Sequence, residues 1–128
     1  MKLLLDTHTL AWWLEDSPKL GPAARAAMLE EGNAIWVSAV SAMEVTTKYR
    51  LGKWPEAEWL ALNFSDMLGG EGFSVLPVTL DHAVLAGSMP IAHKDPFDRL
   101  LIAQARVEDM PLLSNEAMFD GFGVRRIW

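Results

Sequence analysis

The sequence contains no cysteine. That excludes a disulfide framework and thiolate metal ligands, so any ion must be held by oxygen or imidazole. It also lacks a long apolar run: Leu3-Leu4-Leu5 near the N-terminus is ended at once by Asp6, too short for a signal segment or a membrane span. The expectation is a soluble, cytoplasmic protein. No fixed-period repeat, low-complexity tract or linker-like stretch interrupts the 128 residues, which suffice for one enclosed core and therefore one site. Basic charge is scarce as well. Eleven Lys and Arg stand against 17 Asp and Glu, a net charge of -6 that argues against a broad basic surface for nucleic acid. That objection weakens if the acids gather in one cleft, where bound divalent cations reverse the local sign.

What the chain does contain is a globular balance, 51% hydrophobic against 22% charged. Short apolar runs flanked by Gly, Pro, Asp or Asn read as five strands: Lys2 to Leu5, Ala34 to Ser38, Ser74 to Val78, Pro111 to Ser114 and Val124 to Ile127. Helical patterns lie between them, over Thr9 to Glu15, Pro22 to Glu31, Ala42 to Leu51, Glu56 to Leu68, Leu80 to Gly87 and Pro96 to Glu108. Strands alternating with helices imply right-handed crossovers, and hence an α/β fold: a three-layer α/β/α domain around a mainly parallel five-stranded sheet. In such sheets functional groups collect at the carboxyl ends of the strands, near the point where strand order reverses.

Acids sit at those places. Asp6 follows the first strand, and as an N-cap it needs no further explanation. Glu44 ends Ser41-Ala42-Met43-Glu44, the pattern of a capping box. Asp95-Pro96-Phe97-Asp98 places Asp at N-cap, Pro at N1 and Asp at N3, so helix-start chemistry accounts for both acids. Glu116 follows Asn115, a second capping residue, in a helix's first turn. No one of these acids is specific. Their recurrence on what should be one edge of one sheet shifts the balance, because crowded like charges repel and are tolerated when a cation or a functional need compensates. Oxygen ligands without cysteine suit Mg²⁺ or Mn²⁺. Those ions suit phosphodiester cleavage by one ion, or by two about 4 Å apart.

The phrases Leu4-Leu5-Asp6-Thr7-His8, Val37 to Val45, His93-Lys94-Asp95-Pro96-Phe97-Asp98-Arg99 continuing to Ala105, and Leu112-Leu113-Ser114-Asn115-Glu116 resemble, in order and spacing, the motifs of VapC-type toxin ribonucleases of the PIN-domain family. The resemblance covers essentially the whole chain, including Trp12-Trp13-Leu14 and Val124 to Trp128, and implies a single PIN domain over residues 1–128. It implies Mg²⁺ or Mn²⁺ bound by Asp6, Glu44 and Asp98, with a further acid at Glu116. The family's usual fourth acid is Asp, so Glu116 departs by one methylene and coordinates either directly or through water. Asp95 is expected as a cap or an outer residue, with ligation the lesser reading. Implied partners are an RNA substrate, a cognate antitoxin protein that occupies the site, and a second copy of the chain in a homodimer.

Other residues are expected to play ordinary parts. His8, His82 and His93 share no metal-ligand spacing, which disfavours zinc. Lys48, Arg50 and Lys53 form a local basic cluster; Lys94 and Arg99 flank the acidic pair, with phosphate contact a second reading for these two. Trp12 and Trp13 are adjacent and cannot share a helix face, so one of them is a candidate for a protein interface. Two other functional classes compete. An aspartyl-phosphate phosphotransfer enzyme would use Asp6 as nucleophile, but Asp6-Thr7-His8-Thr9 lacks the second Asp that such sites carry. A non-catalytic interaction module would use the acids only as caps, and would bind no Mn²⁺ or Mg²⁺ through Asp6 and Asp98.

Overall fold

The computed structural model describes residues Met1–Trp128. Five strands, β1 (Lys2–Leu5), β2 (Ala34–Ser38), β3 (Ser74–Leu76), β4 (Leu112–Leu113) and β5 (Arg126–Ile127), form one sheet in the order β3-β2-β1-β4-β5. Every pairing in it is parallel. Seven helices cover it: α1 (Thr7–Leu14), α2 (Pro22–Leu29), α3 (Ala39–Arg50), α4 (Glu58–Leu62), α5 (Phe64–Glu71), α6 (Leu80–Ser88) and α7 (Pro96–Val107). Two 3₁₀ turns, Pro55–Ala57 and Ala117–Phe122, complete the chain. No helix is long and apolar enough to cross a membrane.

The three layers follow from the twofold side-chain alternation of the strands. On β1, Leu3 and Leu5 join one core cluster while Leu4 joins the other, all three fully buried. On β4, Leu113 and Leu112 divide in the same way. The first cluster meets Leu10 of α1, Ala24 and Met28 of α2, Leu60 of α4 and Met67 of α5; the second meets Ala86 of α6 and Leu101, Ile102 and Ala105 of α7. Helix α3 lies across both, sending Val45 to the first and Val40 to the second.

Three helical expectations shift. Helix α3 starts at Ala39 rather than Ala42, because Ser38 turns out of β2 and accepts from the Val40 amide as an N-cap. Glu44 consequently lies inside the helix, and the Ser41–Glu44 capping box does not form. The single helix expected over Glu56 to Leu68 is broken at Asn63, whose backbone (φ -132°, ψ 30°) leaves the helical region. Its side-chain amide donates to the Trp59 carbonyl at 2.8 Å, closing α4 before α5 begins. Asn115 caps nothing: it is exposed, the residue at the start of the last 3₁₀ turn is Glu116, and the hydroxyl that receives the Glu116 amide is Ser114.

Candidate active site

Register brings the carboxyl ends of three strands level. Leu5 pairs with both Val37 and Leu113, so Asp6, Ser38 and Ser114 emerge side by side at one edge of the sheet. The chain runs outward from β1 through β2 to β3, then crosses back to place β4 on the other side of β1. The crevice created by that reversal opens between β1 and β4, and Asp6 and Ser114 flank it.

Asp6 is buried and is the N-cap of α1. Its Oδ1 accepts from the Thr9 amide and the Thr9 hydroxyl, each at 2.9 Å, and its Oδ2 accepts from the Ser114 hydroxyl at 2.5 Å. Thr9 also donates across the crevice to the Leu113 carbonyl at 2.8 Å, so its position is fixed from both strands. Ser114 in turn receives the Glu116 amide at 3.0 Å. Ser114 thus ties the loop that carries Glu116 to Asp6, while the Glu116 carboxylate itself is only half-buried.

Glu44 is buried in the middle of α3. The hydroxyl of Thr7, the residue after Asp6, donates to Glu44 Oε1 at 2.6 Å and lies 2.9 Å from Ser41 Oγ. Lys48, one helical turn beyond, donates to Glu44 Oε2 at 2.5 Å. Asp6 and Glu44 are therefore joined through adjacent residues of one chain segment, and capping explains only the first of them.

Asp95 is the N-cap of α7, accepting from the Phe97 and Asp98 amides at 2.9 and 3.1 Å, as helix-start chemistry predicts. Asp98 lies in the first turn and meets His93 Nε2 at 2.8 Å. Burial raises the Asp98 carboxyl above the ordinary aspartate range; the hydrogen bond from His93 opposes this, and the neighbouring charges of Asp95 and Glu44 add to the rise. Glu44 is the weakest of these influences on Asp98. No three Asp, Glu or His side chains stand close enough together to hold an ion in their present orientations. Ser114 links Asp6 to the Glu116 loop, Thr7 links Asp6's segment to Glu44, and charge alone couples Asp98 to Glu44.

Several residues in this region carried no signal of their own in the sequence. Thr7, Thr9 and Ser114 are buried hydroxyls that orient the acids, and Lys48 proves to be a partner of Glu44 rather than part of a loose basic cluster. Arg99 is not available to phosphate. Its Nε donates to the Ala86 carbonyl at 2.7 Å, Nη2 to Met89 at 2.8 Å, and Nη1 to Ile91 and His93 at 3.1 and 2.8 Å. That clasp shapes the segment ahead of α7, from which His93 reaches Asp98. His82 is fully buried and serves structure: its Nδ1 accepts from the Thr79 amide at the start of α6. His8 is exposed and packs its ring against Trp12 and Trp54, with centroids 5.6 and 4.9 Å away. Trp12 and Trp13 are both partly buried against the same core cluster, Trp12 meeting Trp128 at 5.7 Å and Trp13 donating to Glu71 at 3.1 Å.

Comparison with known proteins bears on the fold. Similar folds occur in VapBC2 from Rickettsia felis, crystallised bound to a DNA fragment from its promoter (TM-score 0.71, 15% identity, covering 100% of both chains). They occur also in FitAcB from Neisseria gonorrhoeae (TM-score 0.65, 18% identity, 98% of this chain and 96% of that one). A toxin-antitoxin complex from Klebsiella pneumoniae is a third (TM-score 0.61, 19% identity, 94% and 92%). No curated protein sequence matches the chain. The family model described as the PIN domain matches residues 3–124, from the first strand to just short of the last, and the chain therefore belongs to the PIN-domain family.

Proposed function

We propose that this PIN-domain protein is a divalent-metal-dependent ribonuclease, with Mg²⁺ or Mn²⁺ held by Asp6, Glu44 and Asp98, and with Glu116 contributing directly or through water. The observation that carries the reading is the buried Glu44. Capping does not account for it, burial of a carboxylate costs several kcal/mol unless it is compensated, and it takes a hydrogen bond from Thr7, the neighbour of Asp6, while its charge reaches Asp98. The donor set is all oxygen, which suits a hard ion. The raised Asp98 carboxyl is the condition that an added cation relieves. Gathering the ligands requires side-chain rotation, since Asp6 and Glu44 have both oxygens engaged by hydroxyl, amide or ammonium donors in the free chain.

An ion bound there supplies an acidified water and neutralises charge developing on the phosphodiester. The chain's own residues prepare the site. Thr9 and Ser114 hold the Asp6 carboxylate at the mouth of the crevice, Thr7 holds one oxygen of Glu44, and His93 directs one oxygen of Asp98. The formal charge of -6 is then no obstacle to RNA, because part of it is concentrated where the ion sits. The complexes of the similar folds support a further step, in which this chain is the toxin of a toxin–antitoxin pair; its pairing with a second copy follows from the family resemblance alone. A cleft with an apolar floor including Leu14, Trp54 and Leu60, rimmed by Glu15, Glu56 and Glu71 and containing none of the four site acids, offers an antitoxin segment with apolar and basic side chains a seat in addition to the site itself.

The direct test is RNA cleavage by the wild-type protein, Asp6→Asn and Asp98→Asn with Mg²⁺ or Mn²⁺ present. Cleavage should require the ion and disappear in both variants while the fold persists. Retained cleavage in either variant, with contaminating nuclease excluded, overturns the assignment.

A further inference from the structure

We infer that Lys48, paired with Glu44 Oε2, is the substrate-phosphate contact of this site, turning to the RNA backbone when an ion neutralises the carboxylates. The inference rests on the metal-dependent ribonuclease reading. A side-chain cation beside the ion would add a direct phosphate contact, and the structure narrows the choice. Of the Lys and Arg side chains, Lys48 alone forms an ion pair with any of Asp6, Glu44, Asp98 and Glu116. Arg99, the flanking arginine that sequence would nominate, spends its guanidinium on four backbone carbonyls. Arg126 reaches the Ser114 carbonyl but is forked onto Asp120 at 2.8 and 3.1 Å. Lys94 lies beside Asp95 on the segment before α7, exposed and paired with none of the four candidate ligands, so nothing fixes its ammonium at the site.

Lys48 differs from all of these in its setting. Its side chain is 32% exposed while that of Glu44 is 7% exposed, so the ammonium stands at the boundary between a buried carboxylate and solvent. An ordinary helix pair at this spacing joins two solvated side chains and contributes only a few tenths of a kcal/mol. Here a single ammonium compensates one oxygen of a buried acid. A divalent ion that draws on Glu44 competes for that charge, and the freed ammonium, a flexible point charge with three donors, is left with an anionic substrate as its nearest partner.

The test uses the full chain and two readouts other than cleavage. Mn²⁺ alone is titrated calorimetrically into the wild type, Lys48→Met and Lys48→Arg. Binding of a random-sequence RNA pool is then followed in Ca²⁺ at several salt concentrations, since the longer and less regular coordination of Ca²⁺ fills oxygen sites without the octahedral geometry of Mg²⁺. Lys48→Met should bind Mn²⁺ at least as tightly as the wild type, because a competing cation is gone. It should bind RNA about tenfold more weakly, the loss expected for one charge-assisted phosphate contact, and its salt slope should fall by about 0.7. Lys48→Arg should restore both RNA terms, and Lys48→Gln repeats the measurement if the Met variant folds poorly. Unchanged RNA affinity and salt slope in a folded Lys48→Met overturn the inference while leaving the ribonuclease reading intact. Mn²⁺ binding that ignores Asp6→Asn and Asp98→Asn overturns both.

Discussion

Replacing Arg99 by Lys keeps the charge but should destabilise the protein and loosen the site, because the work done at that position is geometric. The guanidinium closes on the carbonyls of Ala86, Met89, Ile91 and His93 at 2.7 to 3.1 Å, a spread that its planar fork spans. An ammonium presents its donors from one point, so it can reach about two of the four carbonyls. Each acceptor left unmade costs about 1–3 kcal/mol, and the partial exposure of this region favours the low end. The expected loss for Arg99→Lys is about 2–3 kcal/mol, and about 3–5 kcal/mol for Arg99→Met, which abandons all four. For a chain of this length each kcal/mol moves the melting temperature by roughly 3–5 °C, so Arg99→Lys should melt about 6–15 °C lower. Urea denaturation with a chelator present measures the same quantity at fixed temperature. The clasp also holds His93 against Asp98, so Mn²⁺ affinity should fall in the folded variant. Stability within about 0.5 kcal/mol of the wild type would refute the clasp. Weaker RNA binding at unchanged stability would return Arg99 to phosphate contact.

Other outcomes follow from the same geometry. Thr7→Val removes the hydroxyl that Glu44 Oε1 accepts from and should cost about 1.5–3 kcal/mol in urea denaturation, less when combined with Glu44→Gln than the two single losses together predict. Asp98 has a raised folded-state pKa, so the native chain holds a proton that the unfolded chain has already released; stability therefore falls as pH climbs from the ordinary aspartate value through the folded one. In chelator, Asp98→Asn should gain stability over the wild type across that interval and keep a constant advantage above it, and an advantage independent of pH would disprove the burial effect. Glu116→Asp should shift apparent Mn²⁺ affinity if Glu116 reaches the ion itself and change cleavage little if it acts through water. Unchanged cleavage and metal dependence in both Glu116→Asp and Glu116→Gln would remove Glu116 from the site.

The sheet was the most legible part of the molecule. The bounds of β1 and β2 coincide with the expected runs because each is an apolar stretch stopped by a residue that prefers to cap, Asp6 and Ser38. The short strands β3, β4 and β5 lose residues at their ends, where parallel pairing runs out: β3 and β5 are edge strands with one neighbour, and β4 pairs with β1 and β5 over only two residues. Helices α1, α2, α6 and α7 were readable from apolar spacing and their flanking residues. The break at Asn63 was not, since it depends on a side chain bonding back to Trp59. The positions of the acids could be read from strand exits, but their partners could not. The bonds from Thr7 to Glu44 and from Ser114 to Asp6 join residues 37 and 108 positions apart, and only the register of the parallel sheet brings them together.

Capping and catalysis draw on the same residues at this edge of the sheet, which is why sequence alone left each acid ambiguous. Asp6 and Asp95 do cap helices, and a protein without a function would still favour them there. Glu44 breaks the tie, because a carboxylate in mid-helix with 5% of its surface exposed stabilises nothing that an apolar side chain could not stabilise better. Replacing a buried ionic group by a well-packed apolar one of similar volume is often neutral, or stabilising by about 1–4 kcal/mol. Glu44→Met should therefore leave the metal-free protein as stable as the wild type or more so. Thr7 keeps Ser41 as a partner, and the half-exposed Lys48 can turn its ammonium to water. The same variant should lose Mn²⁺ binding. A loss of 3 kcal/mol or more, of the order expected when one partner of a structural buried pair is removed, would instead make Glu44 and Lys48 part of the scaffold and remove the strongest physical reason for placing an ion beside them.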